Sequence, residues 1–163
     1  MCGIFGVFGP ERAAEITHLG LYSLQHRGQE SAGIVAVDGD SVARGTRKMG
    51  LVGEGLSAKE MESLAGRIAI GHTRYSTAGS STIENAQPVL ARFKGGHIAL
   101  AHNGNLTNAL EIRAKLEDSG SIFASTMDSE VIVHRLARAT EGLPEHMLAE
   151  ALRGIDGAYC LVV

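Results

Sequence analysis

A cysteine stands directly behind the initiator methionine, in the opening stretch MCGIFGVFGPER. Cys2 is one of only two cysteines among 163 residues. If an aminopeptidase removes Met1, Cys2 carries a thiol and a free α-amine on the same residue. Free thiols and α-amines titrate within about one pH unit of each other, so such an amine can take the thiol proton near neutral pH. Cys2 is therefore a candidate nucleophile that brings its own base.

Three further short segments contain residues suited to catalysis or substrate binding. They are GHTRYSTAG at 71–79, AHNGN at 101–105 and STMDSE at 125–130. Taken alone, each has an ordinary structural explanation: Arg74 as a surface cation, Asn103-Gly104 as a hairpin turn and Asp128 as a helix N-cap. Cys2 by itself is as readily a small buried hydrophobe. The catalytic interpretation depends on all four segments together.

The composition predicts a folded domain with a small-molecule partner. Apolar residues make up 44% of the 163 residues, which suffices for one domain with a substantial core. The 15 basic and 18 acidic residues give a formal net charge of −3 without charge runs, so we expect neither nucleic acid nor a membrane surface as partner. No apolar run has the roughly 18–20 residues of a membrane span, and no signal-peptide pattern opens the chain, so we expect a cytoplasmic location.

The cysteines and histidines predict no metal site. The two cysteines form no CxxC motif, and the seven histidines show neither HExxH nor an i,i+4 pair. A disulfide framework is equally unexpected, since the cysteines stand at opposite ends of the chain. We therefore predict no cofactor in this segment.

Short apolar runs bounded by turn residues predict the strands. They lie at 2–8, at 31–48 as a hairpin around Asp38-Gly39, at 67–75, at 97–104, at 121–125 (SIFAS) and at 157–163 (GAYCLVV). Asp-Gly favours a two-residue type I′ turn. GAYCLVV resembles a strand whose partner is not in the sequence, and Cys160 within it is expected to be inert packing. We therefore expect residues 1–163 to form one unit, truncated at its C-terminal side.

Helical periodicity and end signals predict five helices. They are a helix over 11–27 with Gly28 as its C′ glycine, a capping box Ser57–Glu60 opening a helix to about Leu64, a stripe formed by Ala109, Ile112 and Leu116, a helix after Asp128, and a last helix with Pro144 at N1. Residues 76–88 fit neither period and predict a long mobile loop, which is more often functional than structural.

Together, the segments resemble the class II, or N-terminal-nucleophile, glutamine amidotransferases, whose domain begins with Cys-Gly-Ile. The segments LQHRGQESAGI at 24–34, GHTRYSTAG at 71–79, ENAQP at 84–88, AHNGNLTN at 101–108 and DSEVI at 128–132 match the glutaminase half of the amidophosphoribosyltransferases, in the same order. The related aminosugar synthases typically have Trp where this chain has Tyr75. Met127-Asp128-Ser129 departs from the Ser-Asp-Thr frequent in relatives but keeps the aspartate.

The resemblance implies an α+β fold of the N-terminal-nucleophile hydrolase type, an αββα sandwich of two antiparallel sheets between helical layers, incomplete at its C-terminal side. It also implies hydrolysis of L-glutamine to glutamate and ammonia. The implied roles are nucleophile for Cys2, oxyanion donors for the Asn103 side chain and the Gly104 N–H, α-carboxylate clamp for Arg74, a hydroxyl contact for Thr77 and α-ammonium partner for Asp128. A loop from about Arg74 to Asn85 would close over glutamine, and His72 and His102 would support the site without transferring protons.

The resemblance further implies what lies outside this segment. A phosphoribosyltransferase half is absent from the 163 residues. In a full-length enzyme, ammonia would replace the pyrophosphate of phosphoribosyl pyrophosphate (PRPP), and Mg²⁺ would bind beside PRPP. That enzyme would be a homo-oligomer that serves purine biosynthesis. The resemblance does not decide whether it contains an iron–sulfur cluster. Two alternatives remain: another class II glutaminase with a sugar-phosphate acceptor, and a non-catalytic fragment or ligand-binding module.

Overall fold

The computed structural model describes residues 1–39, 42–75, 81–139 and 142–163. Its strands are β1 Gly3–Phe8, β2 Ser31–Val37, β3 Ala43–Met49, β4 Ile68–Arg74, β5 Val89–Phe93, β6 Gly96–Leu106 and β7 Gly157–Val162. Its α-helices are α1 Ala13–Ser23, α2 Val52–Gly55, α3 Ala58–Ser63, α4 Ala109–Asp118, α5 Glu130–Arg138 and α6 Pro144–Leu152. Short 3₁₀ turns cover Gln25–Arg27 and Ile83–Asn85. In the described part of the chain, no helix is long and apolar enough to cross a membrane.

The first sheet has the strand order β1-β4-β2-β3, and every neighbouring pair is antiparallel. Helix α1 packs on one face of it, where Leu21 and the alanines of α1 meet Ile34 and Ala69 in a buried cluster. Gly71 of β4 lets the helix approach, since a Cβ there would lie 2.6 Å from Cγ2 of Thr17. Strands β2 and β4 are buried over nearly their whole length, because one face of the sheet packs under α1 and the other packs against the second sheet.

The second sheet has the order β5-β6-β7, again antiparallel throughout. Helices α4, α5 and α6 cover its outer face through a buried cluster that includes Leu100, Leu116 and Ile132. The inner faces of the two sheets meet at Val35, Ile70 and Ala101. The order of layers is therefore helix, sheet, sheet, helices, which confirms the αββα sandwich of antiparallel sheets.

Several local predictions are confirmed. The Ser57 hydroxyl accepts from the Glu60 amide while the Glu60 carboxylate accepts from the Ser57 amide, which is the reciprocal capping box at the start of α3. The backbone hydrogen bond from Ser57, followed by that from the Ser57 hydroxyl, lowers the pKa of Glu60 to about 2. Pro144 occupies the first turn of α6.

Two predictions about turns are wrong. The ladder of the β2–β3 hairpin runs to Val37↔Ala43, and the Asp38 amide still bonds the Val42 carbonyl, so the connection is too long for a two-residue turn at Asp38-Gly39. Gly28 is not a helix C′ residue, because α1 ends at Ser23 and Gly28 has an extended φ of −163°. The lack of a side chain serves a close approach instead: a Cβ on Gly28 would lie 2.6 Å from the carbonyl carbon of Arg74.

The predicted strand at 121–125 is also wrong. The backbone amides of Ala124 and Ser125 donate to the carboxylate of Glu130, and the Ser125 carbonyl accepts from Nη1 of Arg113. Side chains satisfy this backbone where a strand partner was expected. Strand β5, which the apolar pattern did not predict, pairs instead with the first half of β6.

The C-terminal residues have a partner, contrary to prediction. Strand β7, Gly157–Val162, pairs in antiparallel register with Ala101–Leu106 of β6. Cys160 was expected to pack in the core, but it is exposed. Of the loop predicted at 76–88, residues 76–80 lie outside the described residues, and the remainder contains no strand or α-helix but buries Asn85 and Gln87.

Candidate active site

Cys2 lies where the two sheets meet. Strand β1 begins at the next residue, and Gly3 pairs with Thr73 of β4. The Cys2 N–H donates to Oδ1 of Asn103 on β6 over 3.1 Å, and the Cys2 thiol lies 3.7 Å from the Tyr75 carbonyl oxygen. From the other side, Nε of Arg27 donates to the Cys2 carbonyl over 3.0 Å. Contacts from three separate segments therefore hold the half-buried Cys2.

A cavity of about 450 Å³ opens beside this cysteine. Its lining includes four of the predicted site residues, Cys2, Arg74, Gly104 and Asp128. Asn103 joins them through its hydrogen bond to Cys2. Thr77, the sixth predicted residue, lies outside the described residues. The fold thus brings together five residues that are scattered between positions 2 and 128.

Asn103 and Gly104 lie inside strand β6, so they do not form a hairpin turn. The Thr107 amide bonds the Asp156 carbonyl, and hydrogen-bonded pairs alternate along an antiparallel ladder. The amides of residues 102, 104 and 106 therefore point away from β7. His102 N donates to Oε1 of Gln87 and Leu106 N donates to Oδ2 of Asp128, which leaves the Gly104 N–H between them at the cavity.

The Asn103 side chain uses its carbonyl oxygen to accept from Cys2. Its Nδ2 donors then point away from the Cys2 amide and have no hydrogen-bond partner within the described part of the chain. The side chain of Asn103 and the backbone of Gly104 thus offer two N–H donors from adjacent residues beside the cavity that Cys2 lines. Such a pair has the composition of an oxyanion-binding site.

Arg74 ends strand β4 and is 4% exposed, so it is not a surface cation. Its Nη1 pairs with the Glu30 carboxylate, and its backbone carbonyl accepts from the Glu30 amide over 3.0 Å. Gly28 lies against the Arg74 backbone, where no side chain would fit. Glu30 and Gly28 thus fix both the backbone and the guanidinium of Arg74 at the wall of the cavity.

Asp128 precedes α5 and accepts three hydrogen bonds. Its Oδ2 accepts from Leu106 N over 2.9 Å, and its Oδ1 accepts from Ser129 N over 2.7 Å and lies 3.5 Å from Nδ1 of His102. Burial acts to raise the pKa of Asp128, but the hydrogen bonds, led by that from His102, outweigh it and hold the pKa below its ordinary value. Asp128 is therefore a carboxylate at neutral pH.

The segment that leads to Asp128 is fastened at two points. Glu130 accepts from the amides of Ala124 and Ser125. Asn85 donates to the Thr126 hydroxyl over 2.9 Å and accepts from the Thr126 amide over 3.0 Å. The end of the segment that follows Arg74 is therefore tied to the wall that carries Asp128.

The two histidines near the site are buried. His72 is fully buried and its Nε2 donates to the His102 carbonyl over 3.0 Å. Burial lowers the pKa of His72 to about 3, so the ring is neutral at physiological pH. His102 is held by Gln87 and Asp128. The His72 ring thus bonds β6 and the His102 ring lies against Asp128, and their supporting role stays a prediction.

Known proteins resemble this chain in sequence and fold. A family model described as a glutamine amidotransferase domain matches residues 72–163. Amidophosphoribosyltransferase from Lacticaseibacillus casei is 49% identical over 163 residues, which cover 99% of this chain and 84% of that sequence. The chain belongs to the amidophosphoribosyltransferase family. The Bacillus subtilis relative is 44% identical, over 99% of this chain and 34% of its own length.

Solved structures of the amidophosphoribosyltransferase family agree with the fold. The structure of the allosteric regulatory enzyme of purine biosynthesis superposes with a TM-score of 0.91 at 43% identity. The match covers 99% of this chain and 34% of the chain in that structure. The B. subtilis glutamine PRPP amidotransferase in complex with ADP and GMP gives a TM-score of 0.88 at 42% identity. The chain therefore spans about a third of the length of these relatives, and that it is part of a longer domain stays a prediction.

Four residues at the site had no role assigned from sequence. They are Arg27, Glu30, Tyr75 and Gln87. All four lie within segments that carry the resemblance to the amidophosphoribosyltransferase family, namely 24–34, 71–79 and 84–88. The signal was therefore present, but the partner atom of each residue lies far away in the sequence. Across the described residues, no group of three or more His, Cys, Asp or Glu side chains could hold a metal ion.

Proposed function

We propose that this chain hydrolyses L-glutamine to glutamate and ammonia through a thioester on Cys2. The observation that carries the proposal is the meeting of Cys2 with Asn103 beside a cavity that Arg74, Gly104 and Asp128 also line. The Cys2 sulfur attacks the γ-carboxamide carbon, and the carbon–nitrogen bond breaks as ammonia leaves. Water then cleaves the thioester and releases glutamate.

Removal of Met1 supplies the base for this reaction. With Met1 in place, the Cys2 nitrogen is a peptide amide that donates to Asn103. Met1 is largely exposed, so an aminopeptidase can reach it. Once Met1 is removed, the same nitrogen is an α-amine that can still donate to Asn103 while its lone pair accepts the thiol proton. That proton later leaves with ammonia.

The oxygen of the attacked carboxamide gains negative charge as the carbon becomes tetrahedral. The Nδ2 donors of Asn103 and the N–H of Gly104 are placed to bind that oxygen. Both come from strand β6, which pairs with β7 at these two residues, while Gln87 and Asp128 accept from the neighbouring amides on its other edge. The donors therefore need no rearrangement during the reaction, which is the condition under which such donors contribute most.

Opposite charges at the cavity match the zwitterion of a free amino acid. Arg74 offers a planar fork to the α-carboxylate, and Asp128 offers a carboxylate to the α-ammonium. A carboxylate has about four acceptor sites. Leu106, Ser129 and His102 use three of those of Asp128, so one remains for the ammonium. Thr77 is proposed to add a hydroxyl contact.

A wider proposal concerns the fate of the ammonia. Relatives named amidophosphoribosyltransferase, and one described as an enzyme of purine biosynthesis, support transfer of ammonia to PRPP to form phosphoribosylamine. PRPP and its Mg²⁺ would bind outside residues 1–163. A cytoplasmic location and a homo-oligomeric assembly belong to the same proposal.

Ammonia release from glutamine tests the central proposal. The chain is purified, Met1 removal is established by intact mass, and turnover is compared with that of Cys2→Ser. We expect turnover in the parent and loss of nearly all of it in the variant, because a serine hydroxyl is a far weaker nucleophile. A γ-chloroketone analogue of glutamine should alkylate Cys2 but not the exposed Cys160. Equal turnover of parent and Cys2→Ser, or labelling of Cys160 alone, would contradict the proposal.

A further inference from the structure

Gln87 makes a contact that its position in the chain does not suggest. It lies two residues before β5, is 5% exposed and lines the cavity beside Cys2. Its Oε1 accepts from the backbone N–H of His102 over 2.8 Å. The side chain thus bonds the strand that carries the oxyanion donors, one residue before Asn103.

The Gln87 backbone is fixed between the two sheets. A Cβ on Gly33 of β2 would lie 2.4 Å from the Gln87 carbonyl oxygen, so the glycine permits direct contact. On the preceding residue, the Ala86 carbonyl accepts from Nη1 of Arg47 on β3 over 2.9 Å. The first sheet therefore fixes the backbone at Gln87, and the Gln87 side chain bonds strand β6 of the second sheet.

The ladder between β5 and β6 ends just before the residue of β6 that Gln87 bonds. The last pair is Val89↔Leu100, and beyond it the edge of β6 presents the amides of residues 102, 104 and 106. Gln87 takes the first of these amides and Asp128 takes the third. The Gly104 N–H lies between the two anchored amides, so its direction depends on both of them.

We propose that Gln87 is a positioning residue for the oxyanion-binding amide of Gly104. The inference rests on the proposed glutaminase function. Gln87 extends the β5 side of the ladder by one hydrogen bond through a side chain, and leaves the next amide open to substrate. Without that bond, the amides of β6 beyond Leu100 are held on this edge only at Leu106, although the His102 carbonyl still accepts from His72, and the direction of the Gly104 N–H is no longer fixed.

Three variants test the role in the chain with Met1 removed. Gln87→Met keeps the length of the side chain but cannot accept a hydrogen bond. Gln87→Glu restores an acceptor oxygen. Ser57→Ala removes the capping box of α3, which lies away from the cavity, and serves as the control for general destabilisation. Each variant is measured for kcat and KM with glutamine, for melting temperature, and for binding of the γ-aldehyde analogue of glutamine, which forms a tetrahedral adduct with the thiol.

The expected result separates positioning from folding. Misplacement of a catalytic group by about 1 Å can cost about 100-fold, so Gln87→Met should lower kcat by about tenfold to 100-fold. KM should stay within about twofold, and aldehyde affinity should fall by the same factor as kcat/KM. Gln87→Glu should recover most of kcat, and Ser57→Ala should lower only the melting temperature.

Other outcomes would overturn the inference. If Gln87→Met lowers the melting temperature while kcat and aldehyde affinity stay unchanged, the residue is structural alone. If KM rises and kcat is unchanged, it contacts the substrate instead. A parent chain without turnover, while free of Met1, would instead refute the proposed function and the inference with it. Should Gln87→Met not fold, Gln87→Asn, which withdraws the acceptor by one methylene, gives the same comparison.

Discussion

The backbone nitrogen of Cys2 and the side-chain oxygen of Asn103 lie 3.1 Å apart, although 101 positions separate the residues in the chain. Cys2 leads into the first sheet and Asn103 belongs to the second. The proposed nucleophile and its proposed oxyanion donor therefore come together only when the two sheets pack against each other. Activity should respond to anything that changes this packing, and to anything that changes the chemistry of the Cys2 nitrogen.

Retention of Met1 should abolish glutaminase turnover. A peptide amide nitrogen cannot accept the thiol proton, so the proposed base is lost while the fold is kept. The comparison uses two preparations. In one, Met1 is fully removed. In the other, a Lys inserted between Met1 and Cys2 blocks the removal of Met1, because methionine aminopeptidases do not cleave before a large side chain. Full turnover from chains that all retain Met1 by intact mass would refute the amine as base.

Asn103→Ala should lower kcat by about 10²–10³ with a small change in KM, because it removes a donor to the charge that develops in the transition state. Asn108→Ala is the matched control. Asn108 accepts from Asp156 N and donates to the Gly154 carbonyl, so it is a structural asparagine just beyond β6. Steady-state kinetics decide: an effect of Asn103→Ala on KM alone would exclude the oxyanion role.

Glu30→Gln should raise KM for glutamine and lower the free energy of unfolding. The change removes the Glu30 charge that faces the buried Arg74 guanidinium, and breaking a buried pair typically costs about 3–5 kcal/mol. The control is Glu111→Gln, which breaks the exposed pair with Lys115, a type of pair worth about 0.3–0.5 kcal/mol. Urea unfolding and initial rates on both variants give the comparison. Equal effects of the two changes would show that burial of the Arg74 pair has no consequence.

Much of the fold could be predicted because its signals are local. The capping box at Ser57 and the proline that opens α6 act within one helical turn, and both are found as predicted. The segment at 121–125 fails for the opposite reason. Its apolar pattern is that of a strand, but Glu130 and Arg113 satisfy its backbone, and the pattern of a segment does not show which side chain will bond it.

The candidate site, too, could be predicted only in part. The residue types of Cys2, Arg74 and Asp128 indicate chemistry from sequence, and the resemblance orders them. Their supports could not be assigned, because Glu30 reaches Arg74 across 44 positions, and Gln87, which lies in the segment predicted as a loop, reaches the amide of His102 across the β5–β6 hairpin. Sheet register decides which amides face the cavity, and register is a property of the folded ladder.

Stability should fall as the pH drops below about 6.5, partly because of His72. Burial holds the pKa of this ring at about 3, whereas the unfolded chain protonates it near its ordinary value. Between these values the unfolded state binds the extra proton, so stability is full above pH 6.5 and declines by about 1.4 kcal/mol per pH unit toward pH 3. Asp128, whose pKa is also lowered, acts in the same direction at lower pH. Urea unfolding at pH 7 and pH 4.5 should show a smaller difference for His72→Gln, and an unchanged difference would remove His72 as the cause.

Gly104→Ala should detach β7 and abolish turnover, whereas Gly96→Ala should only destabilise. Both glycines lie in β6 with positive φ, 153° and 126°, so both substitutions carry backbone strain of about 1–3 kcal/mol. A Cβ on Gly104 would also lie 2.2 Å from the Ala158 carbonyl oxygen, whereas one on Gly96 meets nothing within 4 Å. Because β7 must move to relieve that contact, its amides should exchange with solvent faster in Gly104→Ala alone. Hydrogen exchange across Gly157–Val162 with ammonia release on both variants checks this. Equal protection of β7 in the two variants would show that the strand tolerates the added methyl group, and that the close approach at Gly104 does not set the geometry of the oxyanion site.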